Sequence, residues 1–142
     1  MRWWTRQATR DQEGPEPDIK LFLVYYDPKI TAALEHSVGL QKGRMGIVNV
    51  FASKNMAETN NFVIAHEMLH TLGATDKYGP PHLLPRFPDG YGEPDKIPLY
   101  PQTIAELMGG RVVLSEIEAV MPDSLRETRI GPESALEIRW IQ

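Results

Sequence analysis

Two histidines and a glutamate lie within five residues, in the sequence His-Glu-Met-Leu-His that begins at His66. Residues four positions apart on a helix lie above one another, so His66 and His70 can bind one metal ion together. Imidazole nitrogens suit Zn²⁺, which prefers tetrahedral sites. Glu67 points to the same side one step around the helix, where it would meet a metal-bound water and not the ion. The segment therefore predicts a zinc site with a general base beside it.

The surrounding residues predict the helix that these side chains need. Apolar residues recur at helical spacing and leave the histidines on a neighbouring stripe: Phe62, Ala65, Leu69 and Leu72. Thr59 or Asn60 is the expected N-cap, and Gly73 has the position of a left-handed C-cap. The alternative interpretation is a buried helix with two structural histidines and a solvated Glu67.

An open zinc site needs a third protein ligand, which must come from the chain after this helix. A turn with positive φ at Gly73 is the shortest return, and Asp76 follows three residues later. His82 is an alternative third ligand, since imidazole commonly binds zinc. Glu93 and Glu106 are also candidates, but Glu93 lies in a proline- and glycine-rich stretch and Glu106 could instead fix a following turn by hydrogen bonding. Asp76 is the expected ligand.

The spacing His-Glu-x-x-His-x-x-Gly-x-x-Asp, which ends at Asp76, resembles the extended zinc motif of the metzincin metallopeptidases. Most of that clan has histidine at the last position, and the snapalysin-like branch of small bacterial neutral proteases has aspartate there. The resemblance implies one Zn²⁺ per chain and a tight turn that carries a methionine beneath the metal. Residues 107–110, Leu-Met-Gly-Gly, fit this Met-turn, with Met108 as its structural methionine. A core methionine beside a loop is the alternative.

We expect an α+β fold, with a small mixed β-sheet backed by helices, an active-site helix and a short C-terminal helical subdomain. Residues 19–26 predict a central strand, because their apolar run is nearly continuous. Pro28 is expected to begin a short helix that reaches Glu35. Residues 47–52 predict a second strand, which is the candidate sheet edge for binding an extended substrate. The capping-box pattern of residues 115–118 predicts a helix after the Met-turn.

A long irregular loop is expected after the third ligand, because residues 79–101 contain seven of the twelve prolines in the chain. Such a loop would form a wall of the substrate cleft and help to set specificity, or it is a plain surface connection. Some zinc peptidases stabilise the oxyanion with a tyrosine hydroxyl. Tyr78, Tyr91 and Tyr100 are the candidates for this role, and the sequence does not rank them.

Length and composition predict one domain over residues 1–142, with residues 1–76 forming the sheet and active-site helix and residues 77–142 the loop, Met-turn and C-terminal helices. The net charge of -4 gives no reason to expect nucleic acid or a membrane as a partner. Without cysteine, a metal must be held by nitrogen and oxygen ligands. We find neither a transmembrane-length apolar run nor a signal peptide, so we expect a cytoplasmic protein or a mature fragment of a secreted one, and a monomer.

These features predict a zinc-dependent endopeptidase that acts on a peptide or protein substrate. His66, His70 and Asp76 would hold the ion, and Glu67 would take a proton from the attacking water. Three alternatives use the same residues: a catalytically silent zinc-binding protein, an effector that acts on one specific partner, and a zinc hydrolase of non-peptide amides.

Overall fold

A computed structural model describes residues 15–80 and 83–142 of the chain. These residues form a mixed α+β fold with one long helix, a three-stranded sheet and three two-stranded sheets. The strands are β1 (Lys20–Tyr26), β2 (Val38–Leu40), β3 (Met45–Phe51), β4 (Tyr78–Gly79), β5 (Leu84–Pro85), β6 (Ala105–Glu106), β7 (Val112–Val113), β8 (Ala119–Val120) and β9 (Thr128–Arg129). The helices are α1 (Ala57–Leu72) and α2 (Pro132–Glu137), with 3₁₀ turns at Lys54–Met56 and Leu125–Glu127. None of the described helices is both long and apolar enough to cross a membrane.

The three-stranded sheet has the order β1-β3-β2, so the last strand in sequence is the central one. β1 runs parallel to β3 along its whole length, and β2 pairs antiparallel with the first half of β3. The prediction of a central first strand was therefore wrong, as was the placement of residues 47–52 at the sheet edge. In β3, Val48 and Val50 are fully buried, whereas Tyr25 of β1 is exposed. An apolar run alone does not distinguish the two positions, because which strands pair is decided by the tertiary fold.

Helix α1 begins earlier than the sequence predicts and ends where expected. Its N-cap is Met56, and Asn60 lies a full turn inside the helix. The Asn60 side chain instead accepts a hydrogen bond from Phe51 N at 3.1 Å and donates one to Phe51 O at 2.8 Å. It therefore ties the helix to the end of β3 and does not cap it. Gly73 ends the helix with φ of 112°, which confirms the left-handed C-cap.

The expected helix between Pro28 and Glu35 is absent from the structure, which has a single turn there. The backbone N–H groups of Ile30 and Thr31 both donate to Asp27 O, and the chain then continues without helical structure. Ile30 is 84% exposed, so a helix here would have had little apolar surface to bury. Helices this short gain most of their stability from such packing.

The helix expected from residues 115–118 is replaced by a hairpin. β7 and β8 pair antiparallel, and Leu114 N and Ser115 N both donate to Glu118 O to close the loop between them. The two valines of β7 are buried, and β-branched residues pack well on a strand. This pairing outweighs the local capping pattern. The C-terminal part of the described chain consequently contains one short helix, α2, and not a helical subdomain.

The apolar face of α1 packs against the segment that carries Met108. A buried cluster joins the two: Phe62, Leu69, Ala74, Leu107 and Met108. On the opposite side, β2 lies directly on α1 at Gly39. A Cβ atom at this position would lie 2.2 Å from Glu67 O and 2.7 Å from His70 Cβ. Only glycine allows the strand and the helix to approach this closely. The helix is thus held between the sheet and the C-terminal core.

Candidate metal centre

Helix α1 and the turn after it bring His66, His70 and Asp76 together. The two Nε2 atoms are 3.2 Å apart, and each lies 3.3 Å from Asp76 Oδ1. The left-handed Gly73 ends the helix so that the chain returns toward the histidines after one short segment. The three donor atoms form a nearly equilateral triangle, and this group could hold a metal ion.

In each histidine ring, Nε2 faces the triangle and Nδ1 lies on the far side. The hydrogen bond that Nδ1 makes determines whether Nε2 has a free lone pair. His66 Nδ1 bonds to Leu107 O at 3.0 Å, and His70 Nδ1 bonds to Ala74 O at 2.8 Å. A carbonyl oxygen only accepts, so we infer that each Nδ1 carries the hydrogen in the neutral ring. The Nε2 atoms then present unprotonated lone pairs, which is the state that binds metals.

Asp76 Oδ1 is buried and accepts no hydrogen bond from the described residues. Its contacts with the two histidines are close enough for ion pairs but lack hydrogen-bond geometry. A buried carboxylate oxygen without a partner is costly, and a cation between the three donors would remove that cost. The group is therefore better matched to a bound cation than to isolated side chains.

The dimensions of the triangle are compatible with a tetrahedral metal site that has nitrogen and oxygen ligands. Ligand bonds of about 2.0–2.1 Å at tetrahedral angles place neighbouring donor atoms about 3.3–3.4 Å apart. The observed separations are 3.2 and 3.3 Å. Two imidazoles and one carboxylate are also a poor set for Ca²⁺ or Mg²⁺, which prefer oxygen ligands.

Without a metal, the Asp76 carboxyl interacts directly with the two histidine rings. Burial alone would raise the pKa of the Asp76 carboxyl, but the His66 and His70 rings outweigh it and hold that pKa far below its ordinary value. Asp76 in turn raises the pKa of His70. Protons and a cation would thus compete for the same position in the triangle.

Glu67 lies beside the triangle and is not part of it. Glu67 is 8% exposed, and it lines the same cavity as His66. Burial raises the pKa of Glu67, while the two histidines and the backbone N–H of Gly39 oppose the increase. A buried carboxylate whose pKa is raised toward neutrality is a suitable general base.

The cavity has a volume of about 450 Å³ and opens next to these groups. Its walls come from residues 32–37, from α1 between residues 59 and 67 and from residues 109–111. Apolar side chains line much of it, including Phe51, Met56, Phe62 and Met121. Of the described part of the long loop, Leu83 alone lines the cavity. The expected wall of the cleft therefore consists mainly of other segments.

Of the three candidate tyrosines, the structure brings only Tyr78 to the metal group. Its ring stacks on His66 with centroids 6.3 Å apart, and it lines the cavity. Burial and the neighbouring Asp76 raise the pKa of Tyr78 to about 12, so its hydroxyl remains a donor at physiological pH. The hydroxyls of Tyr91 and Tyr100 bond to each other at 3.1 Å, and neither residue is among those that line the cavity in the described chain.

A tight turn is present where the Met-turn was expected. Met108 is fully buried in the cluster beneath α1, and the preceding carbonyl accepts the hydrogen bond from His66. Glu106 fixes the turn, because its two carboxylate oxygens accept hydrogen bonds from Gly109 N at 2.7 Å and Gly131 N at 3.0 Å. This is the structural role that the sequence suggested as the alternative to metal binding.

The remaining alternative ligands do not join the triangle within the described structure. Glu93 accepts hydrogen bonds from Thr103 N at 2.6 Å and from Thr103 Oγ1 at 2.9 Å, so it is used to shape its own loop. His82 lies outside the described residues.

Sequence reasoning missed two residues of this site. Gly39 sets the distance between β2 and helix α1, and Arg111 lines the cavity near Tyr78. The only sequence signal for Arg111 is its position directly after the two glycines of the turn. Gly39 has no such signal, because a lone glycine in a short strand does not indicate a functional site.

Comparison of the chain with protein-family models, with curated proteins and with solved structures finds no match.

Proposed function

We propose that this protein is a zinc-dependent endopeptidase of the metzincin type. The observation that carries the proposal is the triangle of three lone-pair donors, with a buried carboxylate next to it on the wall of one cavity. His66, His70 and Asp76 would hold the ion. A purely structural zinc site is usually closed by a fourth protein ligand, and the described residues supply three.

Bound zinc would supply a Lewis acid that polarises the scissile carbonyl and makes a water molecule acidic. Glu67 takes the proton of the attacking water and then delivers it to the leaving amine. The backbone N–H of Gly39 favours the charged form of the Glu67 carboxylate. Tyr78 donates a hydrogen bond to the oxygen of the carbonyl as negative charge develops there.

The extended substrate lies, in this proposal, along the chain that leads into β2. This segment lines the cavity and leads into the edge strand β2, whereas β3 is central. The Asn49 side chain donates to the carbonyls of Glu35 and His36, both at 3.2 Å, and so holds the segment in place. A segment that is held in this way next to the edge strand can offer backbone hydrogen bonds to a peptide.

The test is Glu67→Gln, with zinc content and cleavage of a broad peptide library measured in parallel. The amide has nearly the same shape but cannot accept a proton, so we expect zinc to be retained and cleavage to fall by about 10²–10⁴-fold. Glu58→Gln, an exposed position on the same helix, is the matched control and should keep full activity. Normal cleavage by Glu67→Gln would reject Glu67 as the base. Zinc binding without any cleavage by the wild type would favour a silent or partner-specific zinc protein.

A further inference from the structure

One carboxylate from the C-terminal helix holds both neighbours of Asp76. The Glu137 side chain accepts hydrogen bonds from Thr75 N at 2.8 Å and from Thr75 Oγ1 at 2.6 Å. It also accepts one from Lys77 Nζ at 2.6 Å. The Lys77 side chain is 5% exposed, so this ion pair is largely removed from solvent. Glu137 thus connects α2 to the residues on either side of the proposed third metal ligand.

Other bonds hold the same segment by its backbone. Lys77 N donates to Met108 O at 2.9 Å, and Arg86 Nη2 donates to Asp76 O at 2.6 Å. Asp76 Oδ1, the atom that faces the histidines, accepts no hydrogen bond from the described residues. The residues on either side of Asp76 therefore determine the direction in which this oxygen points.

The charge on Glu137 makes its bonds strong. Burial alone would raise the pKa of Glu137, but the bonds from Lys77 and Thr75 outweigh it and lower that pKa. The group is therefore a carboxylate at neutral pH, and charge-assisted hydrogen bonds are about twice as strong as neutral ones. Among the described residues Lys77 has no other acidic partner, so losing this carboxylate would leave a buried ammonium unpaired.

We propose that Glu137 is a positioning residue for the metal centre: by clamping Thr75 and Lys77 it keeps Asp76 directed at the two histidines and so increases zinc affinity. This inference rests on the proposed zinc site. Residues that orient metal ligands without touching the metal commonly change metal affinity by about 10–100-fold when they are replaced.

The experiment measures the zinc dissociation constant of the full chain by competition with a chromophoric chelator. The variants are Glu137→Gln and the control Glu133→Gln, which changes an exposed glutamate on the same helix. Circular dichroism of the metal-free proteins identifies a temperature at which all of them are folded. We expect Glu137→Gln to bind zinc about 10–100-fold more weakly than the wild type and Glu133→Gln to bind equally well.

A double-mutant cycle with Asp76→Ala separates positioning from general loosening. If Glu137 acts through Asp76, Glu137→Gln has no further effect on zinc affinity once Asp76 has been removed. An equal loss in both backgrounds would overturn the inference, because the role would then be structural support of the whole site. Should Glu137→Gln not fold without metal, Thr75→Val is the second variant. It removes the hydrogen bond from Thr75 Oγ1 to Glu137 and the one that Thr75 Oγ1 accepts from Lys77 Nζ, and it keeps the charge of Glu137. The same cycle applies to it with a smaller expected loss.

The proposed metal centre and the proposed role of Glu137 are tested by different variants. If the wild type does not bind zinc, or if Asp76→Ala binds it as tightly as the wild type, the proposed metal centre is wrong. If Asp76→Ala binds more weakly but Glu137→Gln equals the wild type, the metal centre stands and the role of Glu137 is rejected.

Discussion

Replacing Gly39 by alanine tests the contact between the sheet and helix α1. The added Cβ would lie 2.2 Å from Glu67 O and 2.7 Å from His70 Cβ. Both distances are far shorter than a normal contact, and neither atom is the end of a flexible side chain. The strand and the helix must therefore move apart by about 1 Å or more. Such overpacking typically costs about 1–3 kcal/mol, and we expect the upper half of that range because the clash is with helix backbone.

A loss of about 2–3 kcal/mol corresponds to a decrease in Tm on the order of 6–12 °C for a chain of this size. Thermal unfolding of the metal-free protein by circular dichroism measures it. The same displacement moves the N–H of Gly39 away from Glu67, so peptide cleavage should fall further than zinc affinity. Gly79→Ala is the matched control, since a Cβ there would meet nothing closer than Arg86 Cδ at 3.9 Å.

An unchanged Tm and unchanged cleavage in Gly39→Ala would refute this reasoning, because β2 would then not lie directly on the helix. An equal decrease in Gly39→Ala and Gly79→Ala would also refute it. The decrease would then come from a backbone effect common to both positions and not from the clash, because a less flexible unfolded chain would raise the Tm.

Two further predictions concern the metal group. Asp76→Ala removes one of the three donor atoms and should weaken zinc binding by more than 100-fold, which is above the range for residues that only orient ligands. An unchanged zinc content would mean that another residue is the third ligand, and His82 would be the first to test. Tyr78→Phe should retain zinc and lower kcat by about 10²-fold, the usual cost of losing one oxyanion donor. Tyr100→Phe, from the tyrosine pair away from the cavity, should match the wild type in steady-state kinetics, and equal losses in the two variants would argue against a specific role for Tyr78.

The parts of the site that lie close together in sequence could be predicted, because local geometry determines them. A spacing of four residues on one helix places His66 above His70, whatever the rest of the chain does. The left-handed conformation of Gly73 and three further residues are enough to return Asp76 to the same side. The fixing of the turn by Glu106 was also open to prediction, since its partner Gly109 is only three residues away.

The features that depend on distant pairing could not be predicted in this way. The positions of β1 and β3 in the sheet depend on which strands pair. The capping pattern of residues 115–118 does not form a helix, because β7 and β8 pair there as a hairpin. Tyr78 lines the cavity while Tyr91 and Tyr100 bond to each other, a distinction that no local pattern contains.

From the sequence alone follow two imidazoles and one carboxylate that could share a metal ion, with the Glu67 carboxylate beside them, at spacings set by one helix and one turn. The residues that surround these groups come from distant parts of the chain. Gly39 approaches Glu67 from β2, and Glu137 reaches Thr75 and Lys77 from the far end of the chain. The physical reason is that backbone geometry governs contacts within a few residues, whereas contacts between distant residues are selected by the packing of the whole chain.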